Sequence, residues 1–369
     1  MKSITRQGVP FVAFVILLSV GGLGCAGPST PLGAIWSLHP VDSVRRLIPH
    51  LFGEGTPRIQ FDPPRQNLHA SQTVRVIIDD PSGIRDGYGL QVRYRGQDVT
   101  RSFLQQARVS RTESSQRLVV EVPAVRLSAS DDHLIEIGYR NPAGQFAATR
   151  YPSPVCRAFD HTAIRTTDDF RPDSSLLKSI EVISRQMGFS SAFTAALIAQ
   201  ESAFDPKSVS LARALGLTQI TPIAETEVSG AFEKWPRYPG GHELPAPILK
   251  LLVMAGQIHA GNEWRLDPER SIQGGLTLVQ SLSARWLDSE SFSKVQWTTG
   301  DSDVEITRTR LVLASYHSGF LRVTRAIDRY GSAWLTSPEL KAARKYVNRV
   351  FSYCDAFQLG RENEYENET

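Results

Sequence analysis

The chain has 369 residues, of which 41% are hydrophobic and 21% are charged. These are the values of a globular protein: they exclude extensive disorder, and the length leaves room for two domains. The formal net charge is only +3, from 41 basic and 38 acidic residues, so charge gives no indication of a nucleic-acid partner or of a membrane-surface protein.

Residues 1–24 have the layout of a secretory signal peptide. Lys2 and Arg6 precede the apolar run VPFVAFVILLSV, which is short for a membrane span, and small residues then lead to Cys25. A retained membrane anchor is the alternative. Cys25 stands in a pattern that resembles the bacterial lipobox, with Gly22 in place of the usual leucine. We therefore expect an exported, periplasmic protein that is anchored to the outer membrane as a lipoprotein, by acyl chains alone.

Residues 25–68 are rich in Pro and Gly, with one predicted helix over residues 40–52, and are typical of a tether or a lead-in strand. Residues 69–152 contain the alternating runs TVRVIID, LQVRYR, RLVVEV and HLIEIGY between turn residues. This spacing predicts an all-β sandwich, and the phrase from Gly96 to Thr100 is similar to bacterial immunoglobulin-like modules. We expect an immunoglobulin-like sandwich that serves as a spacer or binds the wall or an envelope protein partner.

Residues 154–358 have helical periodicity, and residues 359–369 form a polar tail. One predicted amphipathic helix, with Ser190 as its cap, places Glu201 on the same face as Leu197. Apolar neighbours and the C-terminal end of a helix both raise the pKa of a carboxyl group. A glutamic acid that is protonated near neutral pH is what general acid catalysis requires.

Three motifs carry a resemblance to a known family. Glu201-Ser202, GLTQITP from Gly216 and SYHSG from Ser315 occur in this order. They resemble the Glu-Ser, Gly-Leu-Met-Gln and Ala-Tyr-Asn motifs of the soluble, goose-lysozyme-like lytic transglycosylases. DPERSIQGGLTLVQSL at 267–282 and KYVNRV at 345–350 are also similar to that family. The resemblance implies an α-rich, lysozyme-like catalytic domain whose substrate is the glycan strands of peptidoglycan.

The family's chemistry implies one catalytic carboxyl group. Glu201 would first protonate the glycosidic oxygen between N-acetylmuramic acid and N-acetylglucosamine. It would then take the proton of the muramoyl C6 hydroxyl, which closes a 1,6-anhydro ring. Asp205 directly precedes Pro206 and is interpreted as a helix stop. The alternatives are hydrolysis by a goose-type lysozyme activity, for which a second carboxylate is typical, and a non-catalytic wall-binding or scaffold protein.

The same resemblance assigns roles to five further residues. Ser202 would orient the catalytic acid or contact sugar, and Gly216 would permit a tight turn close to the sugar chain. Gln219 would bind an acetamido or hydroxyl group, and Tyr316 would place its hydroxyl against the catalytic acid. Packing is the alternative for both. His317 stands where the family usually has Asn, which changes the expected substrate contacts.

Two further cysteines, Cys156 and Cys354, lie near the two ends of the helical region. In an exported protein they are candidates for a disulfide bond that would fasten these ends, and two buried free thiols are the alternative. Neither cysteine lies in a pattern with His that indicates a nucleophile.

The segment between Pro222 and Asp267 is longer than the family pattern requires. Trp235 and Tyr238 within it are candidates either for sugar-stacking platforms or for packing of an extra lobe. His242-Glu243 begins like a zinc-protease motif but lacks the second His. The sequence predicts no metal and no cofactor.

Overall fold

The computed structural model describes residues 56–360 apart from 85–88, 113–114, 166, 168–169, 171, 291, 294 and 296–302. The predicted signal peptide, Cys25, the helix expected over 40–52 and nearly all of the polar tail lie outside the described residues. None of the described helices is long and apolar enough to cross a membrane.

The N-terminal part is built of β-strands, and we call residues 58–150 the β-sheet region. Its strands form two four-stranded antiparallel sheets, in the orders β1-β2-β6-β5 and β4-β3-β7-β8. The elements are β1 (Arg58–Asp62), β2 (Gln72–Asp79), β3 (Gly89–Tyr94), β4 (Gln97–Asp98), the short helix α1 (Thr100–Gln106), β5 (Arg108–Arg111), β6 (Arg117–Val125), β7 (Ile135–Arg140) and β8 (Phe146–Arg150).

Alternation of apolar and polar residues explains how the sheets pack. On β2, Val76 and Ile78 are buried, and they lie opposite Val120 and Leu118 of β6. One apolar cluster joins these residues to buried side chains of β3 and β7, so the two sheets lie face to face. The four predicted strands are present as β2, β3, β6 and β7. β1 lies within the segment 25–68, and there the lead-in strand is the interpretation that fits. The immunoglobulin-like assignment stays a prediction.

The C-terminal part is helical. Its elements are α2 (Ser174–Met187), α3 (Ser191–Ser202), α4 (Pro222–Ser229), α5 (Ala246–Met254), α6 (Pro268–Leu287), α7 (Val304–Ser318), α8 (Phe320–Tyr330) and α9 (Lys341–Leu359), with short 3₁₀ helices at Trp264–Leu266, Gly331–Thr336 and Pro338–Leu340.

Capping side chains fix where these helices begin. Ser190 accepts a hydrogen bond from the backbone N–H of Phe193 at the start of α3, and Asp267 accepts one from Arg270 at the start of α6. Asp173, Thr221 and Asp303 cap α2, α4 and α7 in the same way. The cap predicted at Ser190 is therefore formed.

Helix α3 is not amphipathic, in contrast to the expectation. All side chains from Ser191 to Ala199 are buried, because α2 and α9 pack along the helix and enclose it. Its polar residues are satisfied inside the core: Thr194 Oγ1 donates to the Ser190 carbonyl at 3.1 Å and accepts from Ser184 Oγ at 2.8 Å. Only the last turn, which carries Glu201, reaches a partly accessible position.

A disulfide bond joins Cys156, in the segment before α2, to Cys354 on α9, with a Cα–Cα distance of 5.6 Å. Both cysteines are fully buried in the large apolar cluster of the helical region, which also contains Phe193, Trp286 and Val350. The bond therefore ties the first segment of this region to its last helix.

Candidate active site

Glu201 lies in the last turn of α3, at the edge of the helical core. Its Oε1 accepts a hydrogen bond of 2.5 Å from the hydroxyl of Tyr346 on α9. Burial raises the pKa of Glu201 from 4.5 to about 7, and the hydrogen bond from Tyr346 opposes that rise by stabilising the carboxylate. No other acidic side chain of the described residues contributes to this shift. A carboxyl group with this pKa can both give and accept a proton near neutral pH.

Two phenol groups face Glu201, Tyr346 from α9 and Tyr316 from α7. Burial, followed by the nearby carboxylate, raises the pKa of both hydroxyls well above the ordinary value, so both stay neutral. The sequence predicted that Tyr316 would place its hydroxyl against Glu201. The Glu201 carboxylate does act on this hydroxyl, but the hydrogen bond of Tyr316 goes to another group. The Tyr316 hydroxyl donates to the backbone carbonyl of Thr218 at 2.6 Å, and Tyr346 is the residue that binds the acid.

The backbone turns sharply directly after the acid. Ala203 and Phe204 have φ values of 50° and 65°, in the left-handed region that side chains disfavour. Ser202 donates its hydroxyl to the Ile198 carbonyl at 3.2 Å, so its proton bonds the helix rather than Glu201. Asp205 is exposed and accepts from the backbone N–H of Lys207 at 2.9 Å, which fits the predicted helix stop.

The GLTQ motif forms a tight loop beside the acid. Gly216 has φ +76°, and a Cβ atom built there would lie 1.7 Å from the carbonyl oxygen of Arg265. The tight turn expected at Gly216 is present, and the backbone of Arg265 lies directly against it. Gln219, with φ 50°, donates its Nε2 protons to the carbonyls of Gly216 at 2.8 Å and Ser208 at 3.1 Å. Both donors of this amide therefore hold the loop, and Oε1 is the atom of the group that remains to bind a ligand.

Thr218 anchors the same loop to α6. Its side chain is fully buried, and Oγ1 donates to the Ser271 carbonyl at 2.8 Å. A Cβ atom at Gly275 would lie 2.6 Å from Thr218, so the glycine lets the loop approach the helix closely. The loop is thus fixed from α6 on one side and from Tyr316 on the other.

Residues 236–266, which we call the insert lobe, brace the loop from outside. Leu249 and Val253 of α5 pack in a small cluster with Leu215, the residue before the motif glycine. A buried ionic cluster fixes the lobe to α4. Glu225 on α4 lies 2.9 Å from Arg237, 3.2 Å from Arg265 and 3.2 Å from His242.

Trp235 and Tyr238 have packing roles. The Trp235 ring stacks on Phe232 with centroids 3.7 Å apart, and it lies 5.0 Å from Trp264. Tyr238 packs in the cluster of the insert lobe. Of the two interpretations offered by the sequence, these contacts favour packing.

The SYHSG motif ends α7. Ser315 accepts a hydrogen bond of 3.0 Å from Trp286 Nε1, and the His317 ring lies 4.9 Å from the ring of Tyr346. Partial burial, with a smaller effect of Arg322, lowers the pKa of His317, so the imidazole is neutral at pH 7. A neutral imidazole at this exposed position can both donate and accept hydrogen bonds.

Tyr346 is the site residue to which the sequence analysis gave no role. It lies in the KYVNRV segment, on the buried face of α9 with Ala343 and Val350. A tyrosine in such a pattern is indistinguishable from an ordinary core residue. Across the part of the chain with described coordinates, no group of three or more His, Cys, Asp or Glu side chains could hold a metal ion.

Residues 178–237 match the family model described as the transglycosylase SLT domain. The matched segment lies in the helical region, which is therefore similar to a transglycosylase SLT domain over these residues. Glu201, Ser202, Gly216 and Gln219 lie within the matched segment of the SLT domain, whereas the tyrosines that face Glu201 lie beyond it. No curated protein matches the chain.

Two solved structures are similar to the chain. One is an inactive mutant of the lytic transglycosylase Slt from Pseudomonas aeruginosa, with 18% identity and a TM-score of 0.32 over 51% of this chain and 26% of that chain. The other is the 70 kDa soluble lytic transglycosylase SLT70 from Escherichia coli, with 22% identity and a TM-score of 0.30 over 49% of this chain and 23% of that chain. The chain spans about a quarter of the length of each.

Proposed function

We propose that the protein is a peptidoglycan lytic transglycosylase with Glu201 as its single catalytic carboxyl group. The observation that carries the proposal is a partly accessible glutamic acid in an SLT domain whose pKa is raised to about 7. The substrate is the β-1,4-linked glycan strand, cleaved between N-acetylmuramic acid and N-acetylglucosamine.

In the first step, protonated Glu201 gives its proton to the glycosidic oxygen while the bond from muramoyl C1 to that oxygen breaks. The substrate's 2-acetamido group assists departure of the leaving sugar. In the second step, the Glu201 carboxylate takes the proton of the muramoyl C6 hydroxyl, and that oxygen bonds to C1. The product carries a 1,6-anhydromuramoyl end, and Glu201 returns to its protonated form without consumption of water.

The remaining site residues act by holding Glu201 and the sugar. Tyr346 donates to Glu201 and stabilises its carboxylate between the two steps. The Gln219 amide oxygen accepts a hydrogen bond from an acetamido N–H or a sugar hydroxyl, since its two protons bind the loop. Ser202 and His317 contact sugar at the rim, and Gly216 keeps the loop tight.

The proposal also places the protein in the bacterial periplasm. The disulfide between Cys156 and Cys354 is compatible with an oxidising compartment. The leader 1–24 and the lipobox-like Cys25 provide export and an outer-membrane lipid anchor, which would hold the enzyme near the wall.

The test is digestion of purified sacculi by wild-type protein and by Glu201→Gln. Mass spectrometry of the wild-type products should give anhydromuramoyl ends, one water lighter than reducing ends, and Glu201→Gln should release none. Reducing ends would indicate the hydrolytic, goose-type alternative. Equal release by the two proteins, or no release by the wild type, would refute the catalytic proposal.

A further inference from the structure

The β-sheet region rests directly on α9, the helix that carries Tyr346. Residues 63–71, which connect β1 to β2, supply the first set of contacts. The backbone N–H of Leu68 donates to Ser352 Oγ at 2.8 Å in a buried position. Arg65 Nη1 donates to Asp355 Oδ1 at 2.6 Å, and the Asp355 side chain is only 7% exposed.

A second segment of the β-sheet region, residues 129–132, reaches the same helix. Asn348 Nδ2 donates to the Ala129 carbonyl at 2.9 Å. Arg344 lies 3.8 Å from Asp132 in an ion pair. Two connections of the sheets, far apart in sequence, thus hold α9 along several turns.

These α9 residues share one face, because Arg344, Asn348, Ser352 and Asp355 follow one another at spacings of three or four residues. Tyr346 lies two residues from both Arg344 and Asn348, about 200° around the helix, and therefore on the opposite side. One side of α9 is bound to the β-sheet region while the other donates to Glu201 at 2.5 Å.

We propose that the β-sheet region is a positioning element of the active site, whose contacts with α9 through Asn348 and Ser352 hold Tyr346 against Glu201. The inference rests on the proposed function and deepens it, since the sheets then have a part in catalysis beyond that of a spacer. It assigns Asn348 and Ser352 as positioning residues, which act through Tyr346 and touch no substrate.

The experiment compares three variants that remove contacts with the β-sheet region, which we call the docking variants, with one control. The docking variants are Asn348→Ala, Ser352→Ala and the double variant. The control is Ala342→Ser, which changes an exposed and uncharged position of α9. The first readout is the pH at which wall-digesting activity falls to half. Each docking variant should move this midpoint to higher pH, because a looser Tyr346 stabilises the Glu201 carboxylate less. Ala342→Ser should leave it unchanged.

The decisive step repeats the docking variants in a Tyr346→Phe background. If the contacts act through the tyrosine, Tyr346→Phe alone should shift the midpoint more, and the docking substitutions should add no further shift. Lower thermal stability with an unchanged midpoint, or shifts that add fully to that of Tyr346→Phe, would overturn the inference. Should the double variant not fold, the single variants provide the same comparison.

A second readout separates this inference from the proposed function. The titration of Glu201 also affects how the free energy of unfolding depends on pH. Its contribution is the difference in that free energy between a protein that contains Glu201 and the same protein with Glu201→Gln. If wild type digests no wall, the proposed function fails, and this difference still reports whether the docking variants move the Glu201 titration. No movement would overturn the positioning role.

Discussion

The hydroxyl of Tyr346 donates to Oε1 of Glu201 across 145 residues of chain, at 2.5 Å. The contact brings the last turn of α3 and the second turn of α9 together at a partly buried acid. It also sets two opposing influences on one proton, since burial favours the neutral acid and the phenol favours the carboxylate.

The first prediction concerns the pH dependence of activity. Because the proposed first step needs protonated Glu201, kcat/KM should fall about tenfold per pH unit above pH 7. Initial rates of sacculus digestion in constant-ionic-strength buffers measure this. A profile that stays flat to pH 9 would contradict a general acid with this pKa.

The second prediction is that Tyr346→Phe moves the same alkaline limb to higher pH. In the wild type, the hydrogen bond from Tyr346 lowers the pKa of Glu201. Removal of this hydrogen bond therefore raises that pKa. Tyr316→Phe is the matched comparison, since it deletes a phenol hydroxyl that binds Thr218 instead. Tyr316→Phe should reduce the rate by loosening the GLTQ loop, and it should move the alkaline limb of the pH profile less. Equal displacements by the two variants would contradict the assignment of Tyr346 as the residue that lowers the pKa of Glu201.

Glu201→Gln should raise the stability of the protein at alkaline pH although it removes the proposed activity. The folded pKa of about 7 exceeds the ordinary value of 4.5, so folding favours the protonated acid and wild-type stability falls as pH rises between these values. Glu201→Gln lacks this loss. It should match wild type near pH 4 and exceed its free energy of unfolding by about 3 kcal/mol at pH 8. Urea unfolding at both pH values tests this, and a constant difference would argue against titration of Glu201.

Gly216→Ala should destabilise the loop strongly. The added Cβ would lie 1.7 Å from the Arg265 carbonyl, and φ is +76°. Gly256→Ala is the control, because Gly256 has φ +72° with open space around its Cβ position. The control should cost about 1–2 kcal/mol from backbone strain alone, and Gly216→Ala about 3 kcal/mol or more. Similar unfolding free energies for the two would mean that the contact with Arg265 yields at little cost.

The disulfide should stabilise the helical region. Cys156 and Cys354 are separated by 198 residues, so their bond strongly restricts the unfolded chain. The double substitution to Ser should lower the free energy of unfolding by about 2–5 kcal/mol. Reduction of the wild type should lower the melting temperature to that of the variant, and unequal temperatures would indicate an effect of the serines themselves.

The local sequence pattern was sufficient to predict the strands and helices and to identify Glu201 as the candidate acid. The strands, the cap at Ser190 and the position of Glu201 at the end of a helix depend on residues close together in sequence. The prediction that α3 is amphipathic was wrong because polar residues such as Thr194 are also buried. The Thr194 hydroxyl forms its hydrogen bonds within the core. Tyr346 was missed because its hydrogen bond closes only when α3 and α9 pack, and a tyrosine on an apolar face gives no signal of that contact.

The contact between Gly216 and Arg265 was beyond prediction for a related reason. Nothing in the GLTQ motif specifies which backbone lies above the glycine, and Arg265 belongs to the insert lobe. Similarly, the sequence suggested a spacer for the β-sheet region because the stripe from Arg344 to Asp355 consists of ordinary surface residues until its partner is known.

The charges around Glu225 attach the insert lobe to α4. The Glu225 side chain is 3% exposed, and its ionic partners Arg237, His242 and Arg265 all belong to the insert lobe. Loss of the lobe would leave this carboxylate without those partners, at a cost of about 3–5 kcal/mol. A version trimmed of residues 236–266 would carry that penalty at α4, one turn from the GLTQ loop. Removal or replacement of the lobe therefore requires a compensating substitution at Glu225.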